Sequence, residues 1–487
     1  MGSVFANSIL PVVVVLIYVL TLLVSIAVIF VERQSPGATF AWLMIMWMLP
    51  GVGLFLFLIL SQPFVRSQMK NLSSKDSSKL DDRLVKQVKA MNEGAFEYVN
   101  TEASDFRQLV RFNQTYASAT LTQDNNIEIF NHGMQNFENM FSDIDAAEKY
   151  INIEYFIIKP DDVGLALVKA LTKKAEEGVK VRLLMDAMGS RLMKSSDFQA
   201  LTLAGGEVKL FLPGRFSKMG LNFNYRNHRK LVIIDGSVAY LGGLNAAKEY
   251  VGISKKFKGW RDTNIRLEGS GVIDVDTRFL LDWNYASGEE LVIHQNEYDN
   301  HFPKGDMAVQ VVSSGPESKE SEIKMAYLKM IDMAKRNVYI QTPYFVPDES
   351  IFEAIKAAAL SGIDVRIMIP NQPDHPFVYW VTYHNVGRLI EYGVKVYIYE
   401  KGFLHAKTVT VDSKVSSVGS ANFDIRSFDL NFESNAIVYD REFALNMEED
   451  FEKDIANSIR LTKEKFDSRS SWIKFKESIG RLLTAIL

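Results

Sequence analysis

The chain has 487 residues, with 59 acidic against 55 basic side chains and a formal net charge of -4. That length holds two or three domains, each able to bury its own core, and the balance of charge lacks the global basic footprint of a nucleic-acid binder. With no cysteine, disulfides, thiolate zinc sites and a cysteine nucleophile are excluded, and seven histidines remain for imidazole chemistry.

In chain order, the first feature is Ser8 to Phe30, uncharged over 23 residues and long enough to cross a hydrocarbon core. A second uncharged run goes from Thr39 to Leu60, weakened by Pro50, Gly51 and Gly53. Two membrane spans are expected, with one span plus a buried or interfacial segment as the alternative. Between them lies only Arg33, whereas Arg66, Lys70, Lys75 and Lys79 follow, so the large carboxyl-terminal part is expected on the cytoplasmic side. Residues 67–92, rich in Ser, Lys and Asp, read as a polar connector that turns helical near its end.

Globular sequence follows. "AEKYINIEYFII" is a strand candidate, "VGLALVKALTKKAEEG" an amphipathic helix closed by Gly178, and "VKVRLLMD" a strand. The order returns as "AKRNVYIQTPYFV", "ESIFEAIKAAALSG" closed by Gly362, and "IDVRIMIP". A duplication with a period of roughly 180 residues is too long for a solenoid and suits two tandem α/β domains.

Each copy proceeds to a histidine segment, "NHRKLVIIDG" at 227–236 and "LHAKTVTVDS" at 404–413. Alternation on a strand puts His228 with Lys230, and His405 with Lys407, on one face. Asp235 and Asp412, seven positions after their histidines, point to the other face and are poor candidates for direct chemistry; they suit the hairpin loops Asp235-Gly236 and Asp412-Ser413. Two-residue loops would set Gly243 opposite His228 and Ser420 opposite His405, with Asn245 and Asn422 one pair further on the same face. If the copies meet, one histidine can attack a phosphorus while the other protonates the leaving oxygen. Two lysines and two asparagines would then hold the non-bridging oxygens.

The duplicated H-x-K-x4-D followed by G-[GS]-x-N resembles the phospholipase D superfamily. With the amino-terminal pattern at 31–60, including Pro36 and Ala41-Trp42, the chain is similar to bacterial cardiolipin synthases. The resemblance implies two tandem phospholipase D-like domains, each a mixed sheet flanked by helices, related by a pseudo-twofold and preceded by the transmembrane pair. The expected division is a two-span hairpin at 1–66, a juxtamembrane linker and helix at 67–110, and domains at 111–300 and 301–487. It implies a catalytic set of His228, Lys230, Asp235, His405, Lys407 and Asp412, with Asn245, Ser420 and Asn422 binding substrate. Asp262 and Glu433 would orient the histidines through their second ring nitrogen. Gly243 leaves the first copy without the hydroxyl of Ser420. The implied reaction converts two phosphatidylglycerol molecules into cardiolipin and glycerol through a phosphatidyl-histidine on His228, with His405 as acid and base, no cofactor and no catalytic metal. The implied location is a bacterial plasma membrane, multi-pass, with cytoplasmic catalytic domains and no nucleic-acid partner.

"KKFKGWR" at 255–261 suits a loop on an anionic surface or a solvated loop equally. The terminal "SSWIKFKESIGRLLTAIL", with Trp472, Phe475, Ile479, Leu482 and Ile486 at helical spacing, suits an interfacial or a core-packed helix. His132, His294, His301, His375 and His384 show no metal-ligand spacing. A membrane-tethered phospholipase or another phosphatidyltransferase would use the same residues. A nuclease or a non-catalytic membrane scaffold on the same fold fits the sequence less well.

Overall fold

The computed structural model describes residues 2–31, 36–60, 82–212, 225–254, 257, 259–291, 305–318, 321–372 and 374–484. Outside them lie Arg33, the 67–81 part of the polar connector with Arg66, Lys255, Lys256, Lys258, His294, His301 and Ile486.

The expected pair of membrane spans is corrected here: among the described residues no helix is long and apolar enough to cross a membrane. The amino-terminal helix, Gly2–Val31, carries Pro11 near the start of its uncharged run, where the ring removes a helical amide. The second apolar run is two helices, Pro36–Met48 and Val52–Leu60, of 13 and 9 residues. At 1.5 Å per residue the longer reaches roughly 20 Å against a hydrocarbon core of about 30 Å. Gly51, at φ +84°, makes the break. Gly53 then passes so close to the first piece that a Cβ would lie 2.4 Å from the Ile45 carbonyl oxygen, and Trp42 meets Phe57 edge to face at 5.5 Å. The multi-pass topology and the orientation argued from flanking charge fall with the spans.

The first half contributes β1 (Thr122–Phe130), β2 (Tyr150–Tyr155), β3 (Lys180–Asp186), β4 (Glu207–Phe211), β5 (Arg226–Asn227), β6 (Leu231–Ile234), β7 (Val238–Gly242), β8 (Trp260–Arg261) and β9 (Asn264–Glu268). The second contributes β10 (Met307–Ser314), β11 (Asn337–Gln341), β12 (Phe345–Val346), β13 (Asp364–Pro370), β14 (Lys395–Tyr399), β15 (Phe403–Leu404), β16 (Thr408–Val411), β17 (Val415–Gly419), β18 (Phe423–Asp424), β19 (Asn431–Tyr439) and β20 (Ser458–Leu461). A 16-stranded mixed sheet runs β20-β14-β13-β11-β16-β17-β19-β10-β1-β9-β7-β6-β2-β3-β4, with β5 added beside β19. Outward from the antiparallel β10–β1 junction, β10-β19-β17-β16-β11-β13-β14 matches β1-β9-β7-β6-β2-β3-β4, so the duplicated sequence is a duplicated fold.

Local signals explain the repeated β-α-β units. Asp161 caps helix Asp162–Glu176 by accepting from the Val163 and Gly164 amides, and Gly178, at φ +93°, turns the chain out of it. Asp348 and Gly362 do the same for helix Glu349–Leu360. One apolar core joins the halves, with Leu241, Ile265 and Phe279 of the first packed among Val418, Ala436 and Val438 of the second. Helix Arg107–Ala117 sends Leu109 and Val110 into the core of the second half, beside Ala308 and Ile323.

The two hairpins differ from expectation by one position. Ile234 pairs with Val238 and Val411 with Val415, so the loops are Asp235-Gly236-Ser237 and Asp412-Ser413-Lys414. Asp235 and Gly236 are left-handed (φ 53° and 66°), as are Asp412 and Ser413 (φ 56° and 54°). The third loop residue closes the turn, the Ser237 and Lys414 amides donating to the Ile234 and Val411 carbonyls. A shift of one residue moves every partner across the pleat, so the pairing of Gly243 with His228 and of Ser420 with His405 does not form.

Candidate active site

Each histidine is delivered by a two-residue strand that crosses to the opposite half. β5 pairs in parallel with β19, Asn227 beside Phe432, and the His228 amide donates to the Phe432 carbonyl at 2.9 Å. β15 pairs in parallel with β8, Leu404 beside Arg261, and the His405 amide donates to the Arg261 carbonyl at 2.7 Å. The carboxylate is the next residue in each case, Glu433 within β19 and Asp262 just past the end of β8. His228 Nδ1 therefore meets Glu433 Oε2 at 2.9 Å, and His405 Nδ1 meets Asp262 Oδ2 at 2.6 Å. The acid of each half holds the histidine of the other.

The electrostatics fix the tautomers. Burial works to raise the Glu433 and Asp262 carboxyls, but His228 and Lys230 on the one, and His405 and Lys407 on the other, outweigh it and hold both below their ordinary values. An ionised carboxylate only accepts, so each Nδ1 carries the hydrogen and each Nε2 is the nitrogen left for chemistry. Burial lowers the basicity of His228, with Glu433 opposing and Lys230 assisting. Burial and then Lys407 bring His405 down to about 4. Both imidazoles are thus neutral near pH 7. Burial also brings Lys230 to about 7 and Lys407 to about 8. Each ammonium donates to the carbonyl of its own histidine, Lys230 to His228 and Lys407 to His405. Lys407 acts on His228 and Lys230 on His405, so the two motifs form one electrostatic unit.

The remaining candidates separate. Asp235 accepts from the Glu148, Lys149 and Tyr150 amides at 2.8 Å each, tying the hairpin loop to the start of β2. Asp412 accepts from the Lys335, Arg336 and Asn337 amides ahead of β11. Both aspartates are turned away from the imidazoles. Asn245 accepts from the Ile157 amide at 3.0 Å and donates to the Tyr250 hydroxyl at 2.7 Å, which uses both ends of its amide. Asn422 is buried with Oδ1 unpartnered. Ser420 accepts the Ser434 amide at 3.0 Å, its hydroxyl also helps hold Glu433 ionised, and its carbonyl lies 3.2 Å from His228 Nδ1. The asymmetry at Gly243 has a steric cause: a Cβ there would lie 2.1 Å from Asp262 Oδ1.

Several site residues escaped the sequence reading. Arg229, between His228 and Lys230, is fully buried. It binds Asp282 Oδ2 at 2.7 Å and donates to the Glu433 and Ser314 carbonyls at 3.1 and 3.0 Å, fastening the carboxylate strand to the histidine strand. Asn227 donates its side chain to Glu154 and its amide to Asp186 at 3.0 Å. Glu154, an acid inside an apolar strand, is the signal that could have pointed there; burial and then Asp282 raise its carboxyl well above the usual range. Aromatic rings wall the imidazoles, Phe156 at 5.0 Å from His228, and Trp260 and Tyr250 at 5.0 and 5.8 Å from His405. Both expectations for "KKFKGWR" are thereby corrected at its aromatic members. Phe257 is buried, and Trp260 meets it edge to face at 5.5 Å and packs tilted against Phe403 at 4.9 Å, while its indole donates to Asp262 at 3.3 Å.

Paired His-Lys elements on a pseudo-twofold α/β framework, each histidine backed by a carboxylate, define the phospholipase D class. The family profile described as "Cardiolipin synthase, PLD-like domain" matches residues 140–257 and 327–455. The major cardiolipin synthase ClsA of Bacillus subtilis is 43% identical over 473 residues, covering 97% of this chain and 98% of that protein. A cardiolipin synthase of Oceanobacillus iheyensis is 43% identical over 472 residues, with the same coverage of 97% and 98%. Among solved structures, phosphatidylserine synthase of Haemophilus influenzae superposes with a TM-score of 0.60 at 15% identity, covering 78% of this chain and 100% of its own, a likeness of fold. The chain belongs to the bacterial cardiolipin synthase family.

Proposed function

We propose that this chain is a cardiolipin synthase, moving a phosphatidyl group from one phosphatidylglycerol to the terminal hydroxyl of another and releasing glycerol. His228 Nε2 attacks the phosphorus of the first lipid, forming a P–N bond as the P–O bond to the glycerol headgroup breaks; His405 gives its Nε2 proton to the leaving oxygen. The phosphodiester anion itself raises the basicity of both imidazoles, so one proton enters with substrate. His405 then takes the proton of the second lipid's hydroxyl as that oxygen forms the new P–O bond and the P–N bond breaks. Lys230 and Lys407 exchange their carbonyl contacts for the non-bridging oxygens, with Asn422 beside them. Glu433 stabilises the phosphohistidine and Asp262 the His405 imidazolium. Asp235 and Asp412 act on the backbone alone.

The observation that carries this reading is the crossed carboxylate support, which makes one two-histidine centre out of both halves. Purified protein incubated with phosphatidylglycerol should yield cardiolipin and an equal amount of glycerol. Phosphatidic acid as the sole lipid product would instead mean that water is the acceptor.

A further inference from the structure

The last helix, Ser471–Thr484, packs on helix Pro376–Leu389 along one face only. On that face Glu477 is buried and bound to Arg469 at 3.0 Å and to His384 at 3.5 Å, and a Cβ on Gly480 would lie 2.7 Å from Val381. Trp472, Phe475 and Ile479 centre about 140° around the helix from that contact at 3.6 residues per turn. They are 62%, 53% and 42% exposed, the two rings stacked at 5.6 Å. Lys476 borders this stripe on one side, 5.2 Å over the Trp472 ring and 5.0 Å over Trp380 of the neighbouring helix, and Lys474 and Arg481 stand about 100° and 120° beyond its other edge. Between 471 and 481 the only acid is the buried Glu477, so the outward face is aromatic and cationic with no negative charge.

The helix beneath leads to the site. Thr382 and Asn385 bond the backbone of Phe345 in β12 at 3.0 and 3.2 Å. The Tyr344 hydroxyl, one residue earlier, donates to Asp374, whose charge reaches Lys407.

We propose that the outward face of the Ser471–Thr484 helix docks on an anionic lipid surface, inserting Trp472, Phe475 and Ile479 at the headgroup level with the cations against lipid phosphates. The face would hold the Asp374–Tyr344 side of the site at the monolayer. Aromatic and aliphatic side chains in one stripe bordered by lysine are the chemistry of an interfacial helix, and the missing acid favours anionic headgroups. The proposed reaction supplies only the choice of phosphatidylglycerol as probe, and the test reads contact without turnover.

Because the chain has no cysteine, one environment-sensitive fluorophore can be placed on Ile479→Cys of the full chain, with Glu449→Cys, exposed on the acidic helix Arg441–Ile455, as its control. Adding phosphatidylglycerol vesicles should blue-shift the label at 479 and leave the label at 449 in water, while phosphatidylcholine vesicles shift neither. Trp472→Ser with Phe475→Ser should lower the lipid affinity reported by the 479 label about tenfold or more, with turnover of detergent-dispersed phosphatidylglycerol unchanged. Three results would overturn the proposal. The 479 label could stay in water although the protein sediments with phosphatidylglycerol vesicles, which would assign binding to another surface. It could respond equally to phosphatidylcholine. It could shift with protein concentration in the absence of lipid, which would make the face a contact between copies.

Discussion

Replacing Glu433 with glutamine keeps the size of the side chain and removes its charge. His228 then loses a buried charge-assisted bond of 2.9 Å. Bonds to charged groups contribute about 1.5–3 kcal/mol, or roughly 10- to 150-fold in rate at 1.36 kcal/mol per decade. If the glutamine amide donates to Nδ1, the imidazole hydrogen is forced onto Nε2 and attack is blocked, an error worth about 10⁴ in a serine-protease triad. Glu433→Gln should therefore lower kcat for cardiolipin formation by about 10² to 10⁴, with KM changing little because the carboxylate does not touch the lipid. Asp262→Asn should do the same through His405. The pairing itself can be read by nitrogen and proton NMR of protein labelled in its seven histidines. Glu433→Gln should abolish the downfield Nδ1–H signal that His228→Gln also abolishes, and spare the signal assigned through His405→Gln. Loss of the His405 signal instead would refute the crossed arrangement.

Other outcomes follow from the same geometry. Asp235→Ala removes three amide partners and a residue suited to φ 53°, so it should cost about 1–3 kcal/mol of stability and several degrees of Tm, while kcat per folded molecule stays near wild type; a large loss of kcat at unchanged Tm would return this aspartate to the chemistry. Gly243→Ala should push Asp262 off His405 and lower kcat at least tenfold, measurable as loss of the His405 Nδ1–H signal. Affinity for a non-reactive phosphodiester analogue should fall as pH rises through about 7 to 8, where Lys230 and Lys407 lose their protons, and calorimetric titration across that range would test it. The same depression gives stability the opposite slope. The unfolded lysines keep their protons up to their ordinary pKa near 10.4, so the cost of burying the two charges, full below pH 7, is relieved as pH rises above it.

Much of this centre was legible from periodicity, because two copies of His-x-Lys at matched offsets leave few structural explanations. The caps at Gly178 and Gly362 were equally plain, since only a left-handed residue ends those helices cheaply. What sequence could not carry was the effect of one extra loop residue. Asp-Gly signals a two-residue hairpin loop, but Ser237 joins it, and Asn245 then turns to Ile157 and Tyr250. The exchange of carboxylates was invisible for a different reason. Glu433 reaches His228 only because β5 lies against β19 after the halves dock, and nothing local to either segment encodes that contact. Hydropathy misjudged the 39–60 run because it does not register the reversal at Gly51.

The crossed histidine-carboxylate pairs also impose an order on biogenesis. A ribosome-bound or proteolysed chain holding only the first half would possess His228 without Glu433 and Asp262 without His405. Such a fragment would have a base without the group that sets its tautomer and no second imidazole for the leaving oxygen. The lipid-cleaving power of the centre is thus withheld until β19 of the second half is in place beside β5, and a lipid bilayer that contains its own substrate is never exposed to a half-made catalyst.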